Sequence, residues 1–123
     1  MNILVFDSNR VFANHVAERI AGFVPQAFVD TCPNIYILKR RLENKTYDLI
    51  LADVLSTIDA DEVIAVLSEI KTLVVIWTPL STDMAWNLMS ECKRDFIRKP
   101  SLPDVQAALT PYVARVSNRS APV

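Results

Sequence analysis

The stretch YDLILADVLSTIDADEV, residues 47–63, places the carboxylate of Asp53 directly after a nearly unbroken apolar run. A short apolar run of this kind predicts a β-strand that is covered on both faces. The acidic residues that begin segment 59–70 suit the first turn of a helix, where the helix dipole is positive. Burial alone would place an apolar residue or glycine after the strand, so Asp53 is a candidate functional residue at the rim of the core.

The same alternation of strand-like and helix-like segments runs along the chain. Short apolar segments predict five strands, at 2–6, 26–30, 48–52, 72–77 and 95–97. Apolar residues at helical spacing predict five helices, at 9–21, 34–45, 59–70, 82–91 and 102–116. Gly22 suits the C-terminal cap of the first helix, and Pro111 should kink or interrupt the last one. This alternation predicts a doubly wound α/β fold, a parallel sheet with helices on both faces.

The composition excludes several classes of function. The 123 residues are 51% hydrophobic and 22% charged, which is typical of one globular domain. A net charge of −1 gives no reason to expect binding to nucleic acid or an anionic membrane, and no apolar run could span a bilayer. The single glycine excludes glycine-rich phosphate loops. The N-terminus has no signal-type pattern, and Cys32 and Cys92 stand alone, so we expect a cytoplasmic protein with reduced thiols.

Polar residues follow the predicted strands at the ends where doubly wound proteins build their sites. Asp7 follows the first strand, Asp53 the third, Thr78 the fourth and Lys99 the fifth. Two carboxylates, a hydroxyl and an ammonium group should therefore lie together at one edge of the sheet. A turn or helix-capping role is the alternative for each aspartate.

With these residues the chain resembles, over nearly its full length, the CheY-like receiver domain of two-component response regulators. The resemblance rests on Asp7 in ILVFDSN, Asp53 in YDLILADV, Thr78 in VVIWTP, and Lys99 with Pro100 in DFIRKP. It implies a flavodoxin-like, five-stranded parallel sheet in the order 2-1-3-4-5. The receiver domain would span residues 1–116, and residues 117–123, which lack periodicity, would form a flexible tail or the start of a linker.

The resemblance also implies a phosphorelay function. Asp53 would accept a phosphoryl group from a histidine kinase or a phosphotransfer protein, with no enzymatic activity beyond its own phosphorylation and dephosphorylation. Lys99 would pair with one phosphoryl oxygen and Thr78 would donate to another, while Phe96 would be the aromatic switch residue. The change would alter a binding face for a downstream target protein or an attached output domain.

The implied Mg²⁺ site departs from the family pattern at Ser8, where most receivers carry a second acid. The ligands would be Asp7, Asp53 and the backbone carbonyl of Leu55, with Ser8 acting through a water. Loss of the second acid should weaken Mg²⁺ binding by roughly ten- to a hundredfold. Ser8, an altered loop after Asp53, and Pro79 after the hydroxyl position favour an alternative: a phosphorylation-independent pseudo-receiver that acts as a protein-interaction or dimerisation module.

Trp86 is a candidate partner contact. On the predicted helix 82–91 the inward stripe is defined by Met84, Ala85 and Leu88, and at about 100° per residue Trp86 falls well away from it. An exposed Trp commonly anchors a partner, and the alternative is a ring packed over a neighbouring element. In receivers this helix, the fifth strand and the last helix form a face used for homodimers. A flavodoxin-like cofactor binder is a further alternative, although no Ser/Thr/Gly-rich phosphate loop follows the first strand.

Overall fold

The computed structural model describes residues 1–79 and 94–120. Its strands are β1 (Asn2–Phe6), β2 (Phe28–Cys32), β3 (Leu49–Ala52), β4 (Leu73–Thr78) and β5 (Asp95–Arg98). They pair in parallel in one five-stranded sheet, in the order β2-β1-β3-β4-β5. The predicted fold class and strand order are therefore confirmed.

The described helices connect these strands. They are α1 (Arg10–Phe23), α2 (Ile35–Asn44), α3 (Ala60–Glu69) and α4 (Val105–Ser120), with short 3₁₀ helices η1 (Val54–Ser56) and η2 (Leu102–Asp104). The predicted helix 82–91, with Trp86, lies outside the described residues.

The core lies on both faces of the sheet, because alternate residues of each strand point to opposite sides. On one face β1, β3 and β4 pack against α2 and α3, through Leu4, Phe6, Ile50, Ala52, Val74 and Ile76. On the other face they pack against α1 and α4, through Ile3, Val5, Leu49, Leu51, Val75 and Trp77. Burial on both sides explains why the central strands read as continuous apolar runs.

Asparagine side chains fix where the first two helices begin. The Oδ1 atom of Asn9 accepts the Phe12 N–H at 3.1 Å, and that of Asn34 accepts the Ile37 N–H at 3.0 Å. An asparagine N-cap satisfies an amide that has no partner inside the helix. Each helix therefore begins soon after its strand, which keeps the carboxyl edge of the sheet close to the helix N-termini.

The structure corrects the predicted end of the first helix and the position of the second strand. Gly22 lies inside α1, and the C-cap is Val24, whose N–H donates to the Ile20 carbonyl at 2.7 Å. Val24 has φ −128°, which needs no glycine, and its burial in the core extends the helix. β2 begins at Phe28 rather than residue 26 because the Phe28 N–H donates to the Met1 carbonyl and sets the register with β1.

The last predicted helix also differs. Residues Leu102–Asp104 form η2, and α4 continues through Pro111 to Ser120, past the predicted end at residue 116. Pro111 is exposed, while Leu109 and Val116 on either side of it are buried against the sheet. Packing on both sides of the proline keeps one helix despite the lost backbone hydrogen bond. The predicted interruption is therefore wrong, while the kink given as the other possible effect stays a prediction.

Candidate functional site

The parallel pairing carries the predicted site residues to one edge of the sheet. The N–H groups of Asp7 and Asp53 donate to carbonyls at the ends of β2 and β1, at 3.1 and 3.0 Å. The Lys99 N–H donates to the Thr78 carbonyl at 2.9 Å. Backbone hydrogen bonding thus continues one residue past the strands and fixes all four residues at the carboxyl edge.

One ammonium group bridges the two carboxylates. Lys99 Nζ lies 2.6 Å from Asp7 Oδ2 and 2.8 Å from Asp53 Oδ2. The aspartate side chains are 0% and 3% exposed and that of Lys99 is 14% exposed, so the three charges are shielded from water. The second oxygen of Asp7, Oδ1, accepts the Asn9 N–H at 2.8 Å. Charge-assisted hydrogen bonds of this kind are short and strong, and they hold both carboxylates in place.

Only one of the two oxygens of the Asp53 carboxylate has a hydrogen-bond partner in the described part of the chain. Burial raises the pKa of Asp53, the hydrogen bond and charge of Lys99 lower it, and the charge of Asp7 raises it again; the net direction is upward. The Leu55 N–H is close enough to lower the pKa slightly, but Asp53 Oδ1 has no hydrogen-bond partner among residues 1–79 and 94–120. A buried acceptor with unused lone pairs is costly to stability, which marks this oxygen as a functional candidate.

Lys99 is held in its charged form from several sides. Burial alone would lower the pKa of Lys99, but the hydrogen bonds and charges of Asp53 and Asp7 raise it overall. The Phe12 ring lies under the ammonium, with its centroid 4.2 Å from Nζ, and meets the Trp77 ring edge-on at 6.3 Å. The prediction missed Phe12 as a site residue because it belongs to the apolar stripe of α1, and helical spacing cannot separate a core contact from one to a lysine.

Ser8, directly after Asp7, forms hydrogen bonds to the loop after β3. Its Oγ donates to the Ser56 carbonyl at 2.6 Å, and its N–H donates to Ser56 Oγ at 3.1 Å. Ser56 Oγ in turn donates to the Asp53 carbonyl at 2.7 Å. Ser56 was also missed by the prediction, because these partners are 48 residues apart in the chain and no local pattern indicates the contact.

The residues present fit the predicted Mg²⁺ site poorly. The two nearest carboxylate oxygens converge on Lys99, and the Ser8 hydroxyl is engaged with Ser56. In the described part of the chain no group of three or more His, Cys, Asp or Glu side chains could hold a metal ion. Magnesium prefers near-octahedral oxygen coordination, so a donor set of two carboxylates and the predicted Leu55 carbonyl is weak. The ion therefore remains a prediction.

The remaining predicted residues lie around this centre. Thr78 ends β4 and is fully buried, and Leu55 lies in η1 directly after Asp53. Phe96 is half-buried in β5, opposite Ile76 of β4, and packs on the face that carries α2 and α3. These positions agree with the predicted places of the hydroxyl and aromatic residues, while their roles as switch residues stay predictions.

A cavity of about 350 Å³ opens beside Asp7. Its lining includes the side chains of Arg10, Asn14, Cys32 and Arg41. A larger cavity of about 490 Å³, lined by Asp30, Arg40 and Tyr47 among others, does not include the carboxylate pair. Of the site residues, Asp7 lines the smaller cavity and Asp53 and Lys99 do not, so this cavity lies beside the site on the Asp7 side.

The fold and this edge of the sheet define the class of structure: the chain has the CheY-like receiver-domain fold. It is similar to the signal receiver domain of the DNA-binding response regulator protein (merR) from Colwellia psychrerythraea 34H, with a TM-score of 0.76 and 15% identity over 93% of this chain and 98% of that one. A response regulator from Thermotoga maritima matches with a TM-score of 0.74 and 17% identity, over 94% and 97% of the two chains. No protein-family model and no curated protein matches the sequence.

No described helix is long and apolar enough to cross a membrane.

Proposed function

We propose that the chain is a response-regulator receiver domain in which Asp53 accepts a phosphoryl group. The observation that carries this proposal is the buried pair Asp7 and Asp53 bridged by Lys99 at the carboxyl edge of the receiver fold. Burying charges costs stability, and a buried carboxylate with a raised pKa, as Asp53 has, is typical of a functional site. A purely structural role would be served as well by apolar residues.

The two oxygens of Asp53 have different roles in this proposal. Oδ2 is held by Lys99, while Oδ1 has no hydrogen-bond partner in the described residues and keeps its lone pairs for attack. Oδ1 attacks the phosphorus of a phosphohistidine or an acyl phosphate, a phosphorus–oxygen bond forms, and the bond to the donor breaks. The donor imidazole or carboxylate leaves with the electron pair. Burial raises the pKa of Asp53, which makes the carboxylate a stronger nucleophile than a solvated one.

Positive charge stabilises the transferred group. Lys99 already contacts Asp53 and would remain beside the phosphoryl oxygens after transfer. Thr78, at the end of the neighbouring strand, would donate its hydroxyl to the same group, and Phe96 would respond to its movement. Receiver domains typically bind Mg²⁺; in this chain we expect such binding to be weak, because Ser8 replaces an acid.

The partners follow from the same role. A histidine kinase or phosphotransfer protein would supply the phosphoryl group in the cytoplasm, and a downstream protein or attached output domain would respond. A homodimer through β5, α4 and the predicted helix 82–91 is one form that the response could take. We propose no enzymatic activity beyond self-phosphorylation and self-dephosphorylation.

The test is incorporation of phosphate from acetyl phosphate, read by intact mass, with Asp53→Asn beside the wild type. We expect a gain of one phosphate in the wild type and none in the variant. Asp59→Asn, in the same loop but outside the carboxylate pair, is the matched control and should be phosphorylated like the wild type.

An unmodified wild type would contradict the proposal, provided that beryllofluoride, which mimics the aspartyl phosphate, also leaves its NMR spectrum unchanged. That pair of results would support the pseudo-receiver alternative, a protein-interaction module that does not use phosphorylation.

A further inference from the structure

The contact between Ser8 and Ser56 joins the two loops that carry the carboxylates. Ser8 follows Asp7 after β1, and Ser56 lies in η1 after Asp53. Ser8 uses both its N–H and its hydroxyl on Ser56, at 3.1 and 2.6 Å, and Ser56 uses its hydroxyl on the Asp53 carbonyl at 2.7 Å. The Ser56 N–H also donates to that carbonyl, at 3.2 Å. These hydrogen bonds connect the two loops.

The Ser8–Ser56 pair and Lys99 together produce the two effects that a shared cation has in other carboxylate sites. A cation bound by residues of both loops holds the loops together and neutralises their charge. Here the Ser8–Ser56 hydrogen bonds supply the first effect, and the Lys99 ammonium, in contact with Asp7 and Asp53, supplies the second. The Ser8 hydroxyl already donates to Ser56, so a cation that recruited Ser8 would have to compete with that hydrogen bond.

Further positive charge lies beside Asp7. The cavity of about 350 Å³ beside Asp7 is also lined by Arg10 and Arg41. Lys99 contacts both carboxylates, and Arg10 and Arg41 add two further cationic groups on the side of Asp7. Arginine binds phosphoryl oxygens through several N–H groups and keeps its charge at any ordinary pH. The negative charge of a donor would meet cations that belong to the chain itself.

We propose that Lys99 and the Ser8–Ser56 pair take the place of the divalent cation in this chain. The wild type then binds Mg²⁺ at the Asp7 and Asp53 pair at least about tenfold more weakly than Ser8→Asp does, and its reaction with phosphoryl donors does not depend on Mg²⁺. The part of this inference that concerns phosphoryl transfer rests on the proposed function. The part that concerns Mg²⁺ binding does not, and it is tested without any phosphoryl transfer.

The first test is a Mg²⁺ titration of wild type and Ser8→Asp, followed by the amide NMR signals of the carboxyl edge. Aspartate at this position removes the hydroxyl donor and adds a carboxylate ligand, so we expect Mg²⁺ affinity to rise by roughly ten- to a hundredfold. Ser117→Asp adds the same charge to an exposed position near the C-terminal end of α4, and should leave the Mg²⁺ affinity unchanged. Wild-type binding as tight as that of Ser8→Asp would overturn the inference.

A second variant guards against misfolding of Ser8→Asp. Ser56→Ala removes the hydroxyl that contacts both Ser8 and Asp53 and adds no charge. We expect hydrogen exchange of the Ser8 N–H to become roughly five- to tenfold faster, the loss of about one net hydrogen bond. Unchanged exchange at Ser8 would show that the Ser56 hydroxyl does not hold the Ser8 loop and would overturn the inference.

Phosphorylation by acetyl phosphate is then compared in Mg²⁺ and in EDTA. Equal rates support the inference. A rate that requires Mg²⁺ would overturn it while the proposed function stands. If neither condition gives phosphorylation and beryllofluoride leaves the NMR spectrum unchanged, the proposed function fails, and the Mg²⁺ titration still decides whether the wild type binds the metal weakly.

Discussion

The ammonium group of Lys99 lies over the ring of Phe12, 4.2 Å from its centre, and the same ring meets Trp77 edge-on. A cation over an aromatic face is stabilised by about 0.5–2 kcal/mol, and an edge-on aromatic pair by about 0.5–1.5 kcal/mol. We therefore expect Phe12→Leu to lower the free energy of unfolding by about 1–3 kcal/mol. It should also lower the pKa of Lys99, because the charged form loses a favourable contact.

Urea denaturation measures the first effect, and NMR titration of the Lys99 side chain measures the second. Phe28→Leu is the matched control, because Phe28 is 69% exposed in the edge strand β2. It should change the stability by no more than about 0.5 kcal/mol. If Phe12→Leu leaves the pKa of Lys99 where it was, the ring does not act on the ammonium.

Loss of the Lys99 ammonium group should lower the free energy of unfolding strongly. Lys99→Met leaves the carboxylates of Asp7 and Asp53 buried beside each other without their cation. Removing one partner of a buried ion pair costs about 3–5 kcal/mol, so we expect a loss of that size at pH 7. Lys39→Met is a useful comparison, since the Lys39–Glu62 pair is half-exposed and should contribute about 1 kcal/mol or less.

The contribution of Lys99 should depend on pH in a defined direction. The pKa of Lys99 is raised above its ordinary value of 10.5, so the folded state holds this proton more tightly than the unfolded state does. The stability that Lys99 supplies is therefore fully present below pH 10.5 and is lost as the pH rises through the raised pKa. The difference in stability between wild type and Lys99→Met should be constant near neutral pH and shrink in alkali. A difference that grows with pH would contradict this assignment.

The sequence was sufficient to place Asp7, Asp53, Thr78 and Lys99 at one edge of the sheet. Their position follows from parallel strands, because every apolar run that ends on a polar residue delivers that residue to the same side. The contacts of Phe12 and Ser56 were out of reach for a different reason. Helical spacing shows which face of α1 is buried but not what lies opposite, and Ser56 meets Ser8 only after β1 and β3 have paired.

The ends of the helices were also mispredicted where tertiary packing, rather than local sequence, decides them. Gly22 was expected to end α1 on local preference, yet the buried side chain of Val24 carries the helix further. Pro111 was expected to interrupt the last helix, yet the packing of Leu109 and Val116 keeps α4 whole. In both places tertiary burial outweighs a local signal of a few kcal/mol at most.

Cys32 ends β2 beside the site and should be chemically inert in the folded protein. It is fully buried, and burial raises the pKa of its thiol to about 12. The thiolate is the reactive form, so a thiol reagent at pH 8 should modify Cys32 only when the chain unfolds. Labelling is best followed in a Cys92→Ser background, where Cys32 is the one remaining thiol. Modification of the native protein as fast as in urea would show that the thiol is accessible.

The Arg94 side chain caps the C-terminal end of α3. Its guanidinium donates to the carbonyls of Leu67 and Thr72, at 2.7 and 3.1 Å, and to that of Ile70. Carbonyls at a helix end lack partners within the helix and carry the negative end of its dipole. Arg94→Ala should therefore lower the free energy of unfolding by about 1.5–3 kcal/mol.

Arg94→Lys keeps the charge but has no planar fork to reach three acceptors, so it should restore only part of that loss. Thermal or urea denaturation of the two variants makes the comparison. Full recovery in Arg94→Lys would mean that charge alone, and not the hydrogen-bond geometry, stabilises the helix end.

Neutralising the Asp53 side chain should stabilise the fold. The pKa of Asp53 is raised, chiefly by burial, so the ionised carboxylate is worse off in the folded state than in the unfolded one. By linkage this cost is absent below pH 3.8, where Asp53 is protonated in both states, and grows as the pH rises through the raised pKa. Asp53→Asn keeps the shape and an oxygen that can accept from Lys99. At pH 7 it should be more stable than the wild type by about 0.5–2 kcal/mol, the usual scale for relieving such a site.

The sign of this effect separates a working site from a structural ion pair. Denaturation at pH 7 and again near pH 3.8 should show the advantage of Asp53→Asn fading as the pH falls. The exposed control Asp61→Asn loses a charge from the first turn of α3 and should be no more stable than wild type at neutral pH. An Asp53→Asn variant less stable than wild type at pH 7 would mean that the Asp53–Lys99 contact is a net stabilising pair. In that case the carboxylate would be kept for the fold, and its burial would no longer support a role in phosphoryl transfer.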